Sequence, residues 1–299
     1  MKLYVNIGKS NDFQLVKLKA LLSNDLTITE TVEPDVDMML ITRWQESYLE
    51  TNVKAIFVPY TGLNRFPLDV LKTNDIEIFN THAKADSVAE KAFALALSVL
   101  GKIVLYHNEL SKHGRWLTRE YWGEEFWHSL KQKRCGFIGM GHIASYIISY
   151  IKPFHCSIVN LERDRHKNLA DHYVSSVAEL IKKSDIIYLT CVLNEETTGI
   201  INNHHLELLK DKVIINVSRG QVIDEETLYL GLKNNLLLGA GIDVWYDYPK
   251  KSIQMPSRYD LSKFDNLVMS PHAACHTEEN KDGYYEDIFD QIKKYSKLK

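Results

Sequence analysis

Cysteine is scarce: Cys135, Cys156, Cys191 and Cys275 are the only four. They are scattered and form no C-x-x-C pair, so zinc sites and redox motifs are not indicated. In a reducing compartment such residues read as core thiols rather than disulfides. Long apolar runs are also missing. The best one, residues 92–101, is about half a membrane span. The opening residues hold only the short run Leu3-Tyr4-Val5-Asn6-Ile7, whereas an export signal needs a longer apolar stretch. A cytoplasmic protein with no bound metal and no membrane partner is expected. Neither sign of charge dominates. The chain has 36 Lys and Arg against 39 Asp and Glu, for a net charge of −3. The basic surplus typical of nucleic-acid binding is therefore absent, and no solenoid-period repeat is found.

What is present is ordinary globular material: 299 residues, 45% hydrophobic and 25% charged. That length favours two domains. Short apolar runs at 3–7, 38–41, 55–58 and 76–79 read as buried strands, with a helical pattern at 13–22. A long helix is expected over 88–105, with Glu90 near its first turn. The stretch 106–133 then carries Trp116, Trp122 and Trp127, which read as interdomain or dimer packing. Strand signals resume at 135–138, 157–161, 185–190, 212–217, 237–242 and 267–270, mostly with helical stretches between them, and a helical tail covers 277–298. Alternation of this kind predicts an α/β protein whose second part is a Rossmann-type, doubly wound parallel sheet.

Gly139-Met140-Gly141-His142-Ile143-Ala144 fits G-x-G-x-x-G/A. The pattern is weak alone. Here it follows a strand and opens a helix, where Gly139 permits the tight turn, Gly141 lets the backbone approach a pyrophosphate, and the helix N–H groups face its phosphates. Glu162 stands about twenty residues on, where a ribose-binding acid belongs. A carboxylate there favours NAD over NADP. Arg163 and Arg165 leave the opposite choice open, unless they belong to a solvated turn.

Two further segments follow strands: Asn216-Val217-Ser218-Arg219-Gly220-Gln221-Val222-Ile223-Asp224 and Ser270-Pro271-His272-Ala273-Ala274. Both fall at the strand ends where open α/β sheets bind ligands. Reducing a 2-oxo acid requires a cation for the carboxylate and carbonyl, which Arg219 can supply as a fork. It also requires a proton donor, and His272 titrates in the working range.

Taken together, these motifs resemble the D-isomer-specific 2-hydroxyacid dehydrogenase family. The likeness is strongest over residues 135–274 and includes Gly239-Ala240-Gly241-Ile242-Asp243-Val244, Pro271-His272 and, earlier, Asn80 with Val88-Ala89-Glu90. The resemblance implies Arg219 as the substrate-binding, activating cation and His272 as the general acid/base. It implies that Tyr60-Thr61-Gly62 offers backbone N–H groups to the substrate carboxylate, and that Asp243 touches the nicotinamide carboxamide. By the same likeness, Thr190, Cys191, Val217, Ser218 and Ala274 line the nicotinamide end and Thr197 reaches its ribose. A flavodoxin-like substrate domain, 1–95 with 275–299, is expected around an inserted NAD-binding domain, 96–274. The active site is expected between the two, and homodimerisation through the nucleotide domains. The sequence departs from the family where a Glu normally precedes a proline and hydrogen-bonds the catalytic His: here Tyr248 stands before Pro249, beside Asp247. Residues 83–86 are also less glycine-rich than usual. Lys84 there either favours an extra anionic group on the substrate or is simply solvated.

Two readings follow. One is an NAD-dependent reductase of 2-oxo acids, or dehydrogenase of the matching D-2-hydroxy acids. The other is an NAD(H)-sensing regulatory protein of the same fold with little turnover, which the missing Glu favours and the retained Arg219 and His272 oppose.

Overall fold

A computed structural model describes residues 1–8, 12–22, 26–63, 65–116, 126–161, 168–248, 254–278 and 283–298. Residues 1–84 with 277–299 form one compact unit, and residues 85–276 form the other.

The first unit is built from β1 (Lys2–Asn6), α1 (Asp12–Leu22), β2 (Thr27–Thr29), β3 (Met38–Ile41), β4 (Ala55–Val58), α2 (Leu68–Thr73) and β5 (Glu77–Asn80). All pairings are parallel, in the order β2-β1-β3-β4-β5. This is the flavodoxin-like order. The unbroken apolar runs follow from two-sided burial. Leu3, Val5, Leu40 and Phe57 pack on one face with Leu18 and Leu22, while Tyr4, Met39, Ile41 and Ile56 pack on the other with Leu71. The three-residue β2 had no counterpart among the sequence-based strands.

The second unit opens with α3 (Ala85–Leu100) and α4 (Ile103–His113). Its sheet follows, as β6 (Arg134–Ile138), α5 (His142–Ile151), β7 (Ser157–Leu161), β8 (His172–Val174), α6 (Val177–Lys183), β9 (Ile186–Leu189), β10 (Val213–Asn216), α7 (Glu225–Lys233), β11 (Gly239–Ile242) and β12 (Leu267–Met269). The seven strands are parallel in the order β12-β11-β10-β9-β6-β7-β8. Numbered within the unit, this is the Rossmann order 3-2-1-4-5-6 with one strand added beyond β11. The chain then returns to the first unit as α8 (Gly283–Leu298), which buries Ile288, Phe289 and Ile292 among Leu3, Val5 and Leu40.

Two expectations about the join change. The single helix over 88–105 is in fact two. Gly101 and Lys102 separate α3 from α4, with Lys102 in the left-handed region at φ 50. A border at residue 95 would cut α3, yet the whole helix belongs to the second unit. Ala89, Ala92, Leu95 and Ala96 are buried with Phe137, Ile147, Tyr188 and Ile215. The close approach needs glycine on β11: a Cβ at Gly241 would lie 2.9 Å from the Leu95 Cβ.

Candidate active site

In the second unit, β6 is hydrogen-bonded to β7 on one side and to β9 on the other. Strand order reverses there, the usual ligand position in open α/β sheets. Gly139 forms the turn out of β6 at φ 99, and a Cβ on it would lie 2.5 Å from the Cys191 backbone. Only glycine fits on both counts. Thr190 Oγ1 donates to the Gly139 carbonyl at 2.6 Å and ties the two loops together. Gly141 has the opposite surroundings: among the described residues, its chain neighbours aside, nothing lies within 4 Å of where its Cβ would be. It precedes α5, whose N-terminus has no side-chain cap. Open space at an uncapped helix start suits the pyrophosphate of a dinucleotide, as donors there are free to face an anion. His142 and Ile143 begin α5, and Met140 and Ile143 pack against the sheet's core. Glu162, Arg163 and Arg165 lie outside the described residues.

Arg219 follows β10 on a turn organised by Asn216, which the sequence did not mark as functional beyond its motif. Asn216 is buried. Its Nδ2 donates to the Arg219 carbonyl at 3.0 Å, and its Oδ1 accepts from the Ser218 N–H at 3.1 Å. Gly220 closes the turn against the chain after β11, since a Cβ on it would lie 2.4 Å from the Trp245 carbonyl oxygen. The Arg219 Nη1 donates to the Ser218 carbonyl at 2.7 Å. The Ser218 hydroxyl donates to the Cys191 carbonyl, joining the β9 and β10 loops, and Val217 is buried beneath them.

His272 follows β12 with a left-handed backbone at φ 56. Non-glycine residues adopt this conformation only where their surroundings enforce it. Asp243 enforces it here. Its Oδ1 accepts from the Ser270 hydroxyl and from the Ala273 N–H at 3.0 Å, and its Oδ2 accepts from the Ala274 N–H at 3.1 Å. Asp243 is 1% exposed. Both carboxylate oxygens thus hold the histidine's turn, a structural use beside the expected contact to a carboxamide. Thr197 is buried, its hydroxyl donates to the Val192 carbonyl at 2.6 Å, and it accepts from the Asn194 N–H at 2.8 Å, so it shapes its own loop.

The His272 ring lies 5.2 Å from the Tyr248 ring, centroid to centroid, at an interplanar angle of 40°. The aromatic residue in the family's Glu position therefore does meet the histidine. Burial pushes the His272 imidazole below its ordinary value; the Asp243 charge opposes this, and the charges of Arg219 and His276 add to it.

In the first unit, the 60–62 loop follows β4. The Tyr60 hydroxyl donates to the Thr42 carbonyl, Thr61 Oγ1 donates to the Thr81 carbonyl at 2.8 Å, and Asn80 Nδ2 donates to the Thr61 carbonyl at 2.7 Å. Burial raises the Tyr60 phenol, against the charges of Arg65 and Arg43. These two cations beside the loop were not singled out from sequence, because neither sits in a recognisable motif. Lys84, in the turn before α3, is buried and is not a solvated surface lysine.

Residues 93–274 match the family model described as the D-isomer specific 2-hydroxyacid dehydrogenase NAD binding domain. A glyoxylate/hydroxypyruvate reductase of Arabidopsis thaliana is 31% identical, over 78% of this chain and 70% of its own length. A hydroxypyruvate reductase of Thermotoga maritima is 32% identical, over 82% and 80%. The solved D-lactate dehydrogenase of Aquifex aeolicus, complexed with NAD and lactic acid, shares the fold at a TM-score of 0.80 with 22% identity, covering 99% of this chain and 96% of that one. The chain belongs to the D-isomer specific 2-hydroxyacid dehydrogenase family and is an oxidoreductase of that class.

Proposed function

We propose that the protein reduces a small 2-oxo acid to the D-2-hydroxy acid with NADH. One observation carries the reading. Arg219 and His272, the cation and the proton donor such a reaction needs, follow strands of one Rossmann sheet, each on a turn held by its own buried side chain, Asn216 or Asp243. Relatives named as reductases support turnover over a purely sensing role.

The proposed division of labour is as follows. Gly139, Met140, Gly141, His142 and Ile143 hold the dinucleotide at the start of α5. Thr190, Cys191, Val217, Ser218 and Ala274 form its nicotinamide end. When bound, the nicotinamide supplies the hydride to the substrate's C2. Arg219 forks onto the carboxylate and polarises the carbonyl, so that charge developing on oxygen meets a fixed cation. His272 delivers the proton to that oxygen and takes it back in the reverse direction. The N–H groups of residues 60–62 bind the carboxylate as well. Assaying glyoxylate, pyruvate, hydroxypyruvate and larger 2-oxo acids with NADH tests the whole scheme. It is overturned if none is reduced.

Within this scheme Glu162 selects NADH, and NADPH binds at least about tenfold more weakly, a preference that needs only about 1.4 kcal/mol. Titration by nicotinamide fluorescence measures it. Tighter NADPH binding would hand the pocket to Arg163 or Arg165.

The functional unit is a homodimer in a reducing, cytoplasmic setting. All four cysteines are free. Among the described residues α4 has no fully buried member and exposes Ile103, Val104 and Leu110, and Trp116, Phe126 and Trp127 are exposed further on. A helix that leaves so much apolar surface exposed on its own chain gains stability when something covers it. A second copy is the proposed cover. Sedimentation is expected to show a dimer, and paired Ile103→Glu and Leu110→Glu changes are expected to shift it to monomer. A monomeric wild type at micromolar concentration would refute the assignment.

A further inference from the structure

Beside His272 the second unit holds a hollow of about 380 Å³, whose lining includes Trp245, Tyr248, Pro256, Met269, Pro271 and His272. The walls are mostly apolar and aromatic, the usual lining of a small-molecule pocket. They are also braced. The Trp245 indole N–H donates to the Ser270 carbonyl at 2.8 Å. The Asp247 N–H donates to the Pro256 carbonyl at 3.1 Å. Just beyond Pro256, the Ser257 hydroxyl and the Arg258 N–H donate to Glu225 on α7 at 2.7 and 2.8 Å. Tyr259 stacks on Tyr229, also on α7, with ring centroids 4.1 Å apart.

From this we infer that the hollow receives the substrate's side chain, and that the substrate class is 2-oxo acids bearing an aromatic ring. The inference rests on the reductase reading for His272 and deepens it. A reacting carbonyl placed at the His272 ring puts the group on its next carbon within reach of a hollow that His272 helps to line. A hydrogen or a methyl there would leave most of the space to water. A cavity of about 150 Å³ already holds benzene, so a phenyl, hydroxyphenyl or indole ring fits here. Such a ring removes apolar surface from water on both partners, and it can pack against Trp245 and Tyr248 in offset or edge-on geometry. Polar residues line it as well, Ser270 and Gln254 among them. Gln254 lines the hollow and its Nε2 donates to Asp247 Oδ2 at 3.2 Å, leaving its amide oxygen to accept from a ring hydroxyl or an indole N–H. Met269 sits near the end of edge strand β12 and is 37% exposed, so its side chain can be changed without opening the sheet's core.

The test is a substrate panel with NADH, in wild type and in Met269→Trp and Met269→Gln. Met269→Trp fills the hollow and Met269→Gln makes its wall polar. In wild type, phenylpyruvate, 4-hydroxyphenylpyruvate or indole-3-pyruvate is expected to exceed pyruvate in kcat/KM by at least about tenfold, and the phenylpyruvate-to-pyruvate ratio is expected to fall at least about tenfold in Met269→Trp. NADH titration checks that each variant's nucleotide domain is folded, and Met269→Gln carries the comparison if Met269→Trp does not fold. The inference is overturned if glyoxylate or pyruvate is reduced at least as well as the aromatic acids, or if the ratio is unmoved in a folded variant. Should no 2-oxo acid be reduced, calorimetric titration of phenylpyruvate into the NAD⁺-saturated protein decides. Binding that Met269→Trp abolishes upholds the pocket while the reductase reading falls, and absence of binding removes both.

Discussion

Arg219→Ala is expected to lower kcat/KM on the best 2-oxo acid by about 30-fold to several thousand-fold, while NADH affinity stays within about threefold. The range corresponds to about 2–5 kcal/mol, the cost of truncating one partner of a hydrogen-bonded charge pair. The asymmetry follows from geometry. In the proposed scheme the dinucleotide is held at the turn after β6, where Gly139 and Gly141 shape the backbone. Arg219 stands two strands away, on the turn after β10 that Asn216 organises. Arg219→Lys keeps a charge without the planar fork and should recover only part of the loss. The pH profile gives a further signature. After burial, the Arg219 charge is among the influences that depress His272. Its removal should therefore move the histidine's limb upward as the rate falls. A near-normal rate in Arg219→Ala would end its assignment as the substrate's cation.

The parts of the fold legible in sequence are those where a strand is buried on both faces. Residues 38–41 and 55–58 are unbroken apolar runs because alternate side chains enter different cores, and both coincide with β3 and β4. Two of the edge strands, β2 and β8, were not legible, whereas β5 and β12 were. Thr27-Ile28-Thr29 and His172-Tyr173-Val174 are short and partly polar, because an edge strand buries less, and nothing in their period separates them from loop. The break between α3 and α4 was missed for a related reason: Gly101 sits within a pattern that stays helical on both sides.

At the site, residues in a fixed local spacing could be read, and residues acting through distant partners could not. Gly139 and Gly141 were found because a strand–turn–helix phosphate site dictates their spacing. Asp243 was noticed for a cofactor contact, and its hold on the histidine's turn was not foreseen. Its bonds go to Ser270, Ala273 and Ala274, some thirty residues on, a pairing set by β11 lying beside β12. Asn216 was visible only as part of a motif, although it forms the turn under Arg219. The hollow beside His272 could not be read at all, since its walls come from two separate loops and an edge strand.

His272→Gln is expected to lower kcat for reduction by about 10²–10⁴, the usual worth of a positioned general acid. The pH dependence of wild type tests the more specific point. Reduction requires the imidazolium. Burial disfavours that cation, the Asp243 charge only partly offsets it, and Arg219 and His276 disfavour it further, so the free enzyme's pKa lies below the ordinary value of about 6.5. A depressed histidine is charged below its pKa and neutral above it. The kcat/KM for reduction should therefore be full at acidic pH and fall as pH rises through a value under about 6.5. Oxidation of the hydroxy acid, which needs neutral imidazole, should rise across the same window. Tyr248 is the reason no stronger correction is present. Its ring lies 5.2 Å from the imidazole and is 43% exposed, and it offers packing without a negative charge. A carboxylate at that place favours the cation, so Tyr248→Glu should carry the falling limb upward by about one unit, while Tyr248→Phe should leave it in place. Initial rates of reduction from pH 4.5 to 9 in the three forms make the comparison. A wild-type limb well above neutrality would show that another acid, with Asp247 the nearest in sequence, serves the histidine. A limb unmoved in Tyr248→Glu would show that position 248 touches the ring without tuning it.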